Sequence, residues 1–73
     1  MRQSLKQASY LVALYLLPIA EAGELVNLQD FFMHFEVAVD DLYNDGLLAE
    51  EHYYEMDYEA ALAGLRLLGW EIV

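Results

Sequence analysis

Ser4 and Ser9 are the only aliphatic hydroxyls in the chain, which contains no Thr and no Cys. A hydroxyl nucleophile needs a base to take its proton and a further group to orient that base. Neither serine has a His or an acid close by in sequence. Ser4 stands before an apolar run as a helix cap, and Ser9 falls inside it. Acyl transfer is not expected, and without Cys there is no thiolate nucleophile, zinc–thiolate site or disulfide framework. Metal ligation has more to draw on, with 13 Asp and Glu and two His. His34 and Glu36 are two residues apart, which is wrong for one helical face. His52 and Glu55 are three apart and can meet on a helix, but two ligands do not make a site. Asp41 to Gly46 loosely follows a calcium loop, yet Tyr43 stands where that loop needs Asp or Asn, and His52 where it needs Glu. His34, one turn after Asp30, fits an exposed ion pair better than a ligand. The adjacent acids Asp40/Asp41, Glu50/Glu51 and Glu55/Asp57 are of the type used in general acid–base catalysis. Glycosidase-type work needs two of them across a cleft, which a 73-residue chain rarely builds. The expectation is a non-enzymatic protein with no metal and no cofactor.

What remains is the charge itself. Three bases, Arg2, Lys6 and Arg66, face 13 acids, for a net charge of −10. From Glu21 to Glu59 there are twelve acids and no Lys or Arg. Few of these carboxylates have a partner within the chain, so the central half should present a negative surface to water. Such a surface repels nucleic acid, whose recognition needs a basic one. Solubility alone explains a large net charge, but not the absence of any base over the whole centre. Between Glu50 and Glu59 the acids form a row whichever way the backbone runs. As a strand, Glu51, Tyr53, Glu55 and Asp57 share a face at intervals of about 6.6 Å. As a helix, Glu51, Glu55 and Glu59 align at about 5.4 Å per turn. Anions at such spacing can occupy a basic groove shaped for phosphates, which in DNA recur every ~3.4 Å along a strand. The expected partner-binding residues are Glu36, Asp40, Asp41, Glu51, Glu55 and Glu59, with Tyr53 as an aromatic anchor. Tyr54, Tyr58 and Trp70 are further candidates for that role.

The elements that must hold these residues are legible from periodicity and punctuation. Ser4 and Gln7 form a capping box, so a first helix should start near Leu5. It is apolar nearly all round, with Leu5, Ala8, Leu11, Val12 and Tyr15 on one side and Tyr10, Leu14 and Leu17 on the other. A helix of that kind is expected to be buried on all sides, most simply between the domain and a second copy. Leu11, Leu14 and Tyr15 are the expected dimer contacts. Pro18 should end or kink this helix, and Gly23 should close the segment. The stretch also imitates a secretory signal, with basic residues before an apolar run and Ala20-Glu21-Ala22 after it. Its tyrosines and the lack of Cys beyond it favour a core helix instead. Asn27 and Asp30 open a second helix with Leu28, Phe31, Phe32, Phe35, Val39 and Leu42 inward, ended by Asn44-Asp45-Gly46. Leu47 to Met56 fits strand or helix. Asp57 caps a last helix with Tyr58, Ala61, Leu62, Leu65 and Leu68 inward, and Ala60 and Gly64 form a flat side. Gly69 ends it, leaving residues 70–73 as a short strand or a docked tail.

The expected fold is a mainly α, compact three-helix domain spanning residues 1–73, with room for a short C-terminal strand or wing-like hairpin. In size, charge, lack of Cys and its acidic–aromatic stretch from Glu50 to Glu59, the chain is similar to small phage-encoded inhibitors, notably anti-CRISPR proteins and other DNA mimics. That resemblance implies a cytoplasmic protein of an infected bacterium that blocks a basic, nucleic-acid-handling complex by occupying its surface. Leu42 to Leu48 followed by Tyr54-Glu55-Met56-Asp57 also resembles the helix, wing and helix passage of winged-helix domains. Asp40 and Asp41 stand there where a DNA reader would carry Arg or Lys. The competing expectation is a structural or adaptor subunit working through its apolar face, with the acids only for solubility. Fourteen Leu and ten aromatics are more than a domain this small hides easily.

Overall fold

Ser4 starts the first helix by the reciprocal bonds its spacing predicts. Its hydroxyl accepts the Gln7 N–H at 3.1 Å, and the Gln7 side chain accepts the Ser4 N–H at 2.9 Å. The computed structural model describes residues 3–72; Met1, Arg2 and Val73 lie outside the described residues, so the expected roles of Arg2 as a base and Val73 in a strand fall there. Helix α1 runs Leu5–Glu21, α2 Leu28–Asn44, α3 Glu50–Glu55 and α4 Tyr58–Leu67. Among the described residues the domain is all-helical with four helices, not three, and there is no strand, wing or hairpin.

Each departure from expectation has a local cause. Pro18 does not end α1. Its ring lies on the exposed side, and the helix carries on until Ala22 bonds back to the Pro18 carbonyl at 3.0 Å. In the ambiguous stretch, Leu48 and His52 are buried four residues apart while Tyr54 is 76% exposed. Burial of His52 with exposure of Tyr54 excludes an alternating strand, which would have put both on one face. The result is α3, which stops at Met56 in extended backbone (φ −61°, ψ 130°). The row from Glu51 through Glu55 to Glu59 is therefore not one helical ridge, because the break between α3 and α4 falls inside it. The tail folds back for a similar reason. Gly69, at φ 88°, adopts the left-handed backbone that a side chain would strain. Its N–H and that of Trp70 bond to the carbonyls of Arg66 (3.0 Å) and Leu65 (2.9 Å), closing α4 in a Schellman motif that lays Trp70 on the core.

The other caps follow the sequence. Asn27 accepts the Asp30 N–H at 2.9 Å, and the Asp30 carboxylate accepts from Val26 at 3.2 Å. Asp57 accepts the Glu59 N–H at 2.9 Å. Gly46, at φ 77°, closes α2 in the same way, its N–H and that of Leu47 bonding to the carbonyls of Tyr43 and Leu42.

Helix α1 is the centre of the packing, touching both α4 and α2, while α3 rests on α2. Its inward stripe is Ala8, Val12, Ala13, Leu16 and Ala20, each fully buried. The molecule is only 17 Å across its shortest dimension, enough for two layers of helices packed about 8–10 Å apart. A central helix in so thin a body cannot be covered all round, and Leu5, Tyr10 and Leu14 remain exposed. Small residues set the closest approach. A Cβ added at Gly64 would sit 2.8 Å from the Ala13 Cβ. Gly64→Ala gains about 1 kcal/mol in helix propensity but overpacks the crossing by about 1–3 kcal/mol. The expected outcome is a net loss of roughly 1 kcal/mol, read as a lower urea midpoint at unchanged slope.

Candidate functional site

Two exposed carboxylates of α2, Glu36 and Asp40, lie one turn apart and line the same shallow hollow. Its other walls are Phe35 and Val39 of α2, Tyr53 and Tyr54 of α3, and Met56. The hollow encloses about 370 Å³, and among the described residues no cationic side chain lines it. The Tyr53 hydroxyl donates to the Asp40 carboxylate at 2.6 Å. Ring contacts fix Tyr53 from both sides, with Tyr43 at 4.6 Å and Tyr54 edge-on at 5.1 Å. Three residues expected to meet a partner, Glu36, Asp40 and Tyr53, are thus brought together. Phe35 and Met56 complete the hollow and were not legible as site residues, since Phe35 reads as core and Met56 lies in the ambiguous stretch.

None of the remaining expected residues lines this hollow. Asp41, next to Asp40, accepts a hydrogen bond from Tyr15 of α1. A residue expected at a dimer interface and one expected to touch a partner therefore hold each other. Glu51 and Glu55 are exposed on α3, and Glu59 is exposed in the first turn of α4. Leu11 is half-buried in a groove between α1 and α4, and Leu14 is exposed. His52 is not a surface ligand. Its buried ring donates from Nε2 to the Gln3 carbonyl at 2.8 Å, and Nδ1 has no partner among the described residues. The Gln3 side chain completes this clasp, accepting from Ala49 at 3.1 Å and donating to Leu47 at 2.9 Å. It fastens the start of the chain to the segment that leads into α3.

Both tyrosine–carboxylate pairs hold the phenol proton. The hydrogen bond to Asp40, then the repulsion of its charge on the phenolate, raises the Tyr53 pKa above its usual value. For Tyr15 the bond to Asp41 comes first, then burial and the charges of Asp41 and Asp45. A pKa raised by folding stabilises the folded chain fully below the unfolded value of about 10, and that gain is lost as pH rises through the folded value. The Tyr15→Phe/Tyr53→Phe variant should lose less thermal stability above pH ~10 than the parent. Melting curves across that range, with tyrosinate absorbance, check it; equal losses in both would contradict the pairing.

Among the described residues no cluster of three or more His, Asp or Glu is arranged to hold a metal ion. Nor is any described helix long and apolar enough to cross a membrane. Comparison with known proteins finds no matching family model, no matching curated protein and no matching solved structure.

Proposed function

We propose that this chain is a non-enzymatic acidic binding protein that inhibits a basic, nucleic-acid-handling protein or complex by covering its cationic surface, as a DNA mimic does. The observation that carries this reading is the hollow on α2 and α3. Glu36 and Asp40 are displayed there at helical spacing beside Tyr53 and Tyr54, with no base in the lining among the described residues. Carboxylates on a rigid helix keep a set register, which favours fast encounter and correct docking of a complementary surface. The tyrosine rings supply flat apolar area and, towards Arg or Lys, attraction by the π-face. Asp41, Glu51, Glu55 and Glu59 add further negative charge on α2, α3 and α4.

Affinity capture from a nuclease-treated bacterial lysate at low and at high ionic strength tests the proposal. Basic nucleic-acid-binding proteins should be retained at low salt and released at high salt. The adaptor reading draws on the exposed apolar residues of α1. It expects salt-resistant capture that fails in Leu11→Asp or Leu14→Asp.

A further inference from the structure

An apolar groove of about 930 Å³ runs between α1 and α4, and none of its lining residues lines the acidic hollow. Leu5, Tyr10 and Leu11 wall it from α1; Ala60, Ala63 and Leu67 wall it from α4. Although the chain has 13 acids, none lines this groove, and among the described residues the one charge in the lining is Lys6. Leu67 stands 76% exposed at its edge. We infer that this groove is the contact between two copies of the chain, paired about a two-fold axis with their α4 helices antiparallel. This inference is independent of the identity of any basic partner.

Charge selects a second copy as the occupant. Two molecules of net charge −10 repel each other wherever carboxylates meet, and the groove is where they can approach without bringing acids together. Along α4, Ala60, Ala63 and Leu67 follow the helical period and make a low apolar stripe. Glu59 and Arg66 are seven residues apart, so both lie along the same edge of it. Glu59 is in the first turn of α4 and Arg66 in the last. When two such helices pair antiparallel about Ala63, equivalent edges face each other, and Glu59 of each copy meets Arg66 of the other. The present partner of Arg66 does not prevent this. Glu71 is 4.0 Å away and both side chains are largely exposed, a kind of pair that contributes little and re-forms easily.

Sedimentation velocity on the full chain, with helix content checked by circular dichroism, tests the pairing. The parent chain should show a concentration-dependent monomer–dimer equilibrium, and Ala63→Glu, which sets two carboxylates together at the axis, should be monomeric. Glu59→Arg should weaken the dimer by about tenfold, and adding Arg66→Glu should restore it. Should Ala63→Glu lose helix content, the charge-swap series decides alone. A chain that stays monomeric at every concentration, a dimer indifferent to Glu59→Arg, or a double swap that fails to rescue would each overturn the inference. So would a monomer that fills the groove only with a foreign helix.

Discussion

Replacing Asp40 and Asp41 together with lysine is expected to slow association with a basic partner by about tenfold or more at low salt. The change removes two of the 13 acids and adds two bases to a stretch, Glu21 to Glu59, that otherwise has no Lys or Arg. It acts on encounter through the field and on the bound state through the contacts themselves. It also places ammonium groups where Tyr53 and Tyr15 now donate hydrogen bonds, so each pairing is lost. The Asp40→Asn/Asp41→Asn variant separates these effects, because an amide oxygen still accepts from the tyrosines but carries no charge. Stopped-flow association and thermal melts on both variants should show lysine slower than asparagine, and asparagine slower than the parent. They should also show asparagine close to the parent in stability. An association rate that none of these changes moves would remove the electrostatic mechanism.

Phe31→Ala carries the largest expected effect on stability. Phe31 is fully buried on α2, with the Phe35 ring 5.7 Å away and the Phe32 ring 5.9 Å away. Phe32 and Phe35 in turn hold Tyr58 at 4.7 and 4.8 Å, which ties α2 to the start of α4. Emptying that position should remove about 3–5 kcal/mol. A 73-residue domain has only ~4–11 kcal/mol to lose. The variant should sit near its unfolding transition at physiological temperature and show a collapsed urea midpoint by far-ultraviolet circular dichroism. A loss below about 1 kcal/mol would mean that Phe31 is not the centre of the core.

The helices that hold the acids were readable where structure is set by neighbours three or four residues apart. Ser4, Asn27 and Asp57 cap the helices their spacing announces, and Gly23, Gly46 and Gly69 follow the ends. Ala60 and Gly64 announce the close packing of α4, which is realised where Gly64 meets Ala13. What escaped is set by distant partners. The helical state of α3 goes with burial of His52 beneath Gln3, 49 residues away in sequence. The exposed side of α1 follows from the thinness of the molecule, which periodicity does not report. At the candidate site, the spacing of Glu36 and Asp40 on α2 was legible. The bonds that join Asp40 to Tyr53 and Asp41 to Tyr15 span 13 and 26 residues, and no local pattern announces them. The ridge of Glu51, Glu55 and Glu59 failed for the opposite reason, since a local pattern ran across the break at Met56.

The most direct test is an equilibrium titration of the captured partner with the parent chain over a series of salt concentrations, with and without duplex DNA as competitor. If acids on α2 and α3 occupy a phosphate-binding surface, affinity should fall steeply and linearly on logarithmic axes as salt rises. DNA should displace the chain, and Asp40→Lys/Asp41→Lys should flatten the slope. An affinity indifferent to salt and to DNA, but abolished by Leu11→Asp or Leu14→Asp, would contradict the account and assign binding to the apolar face.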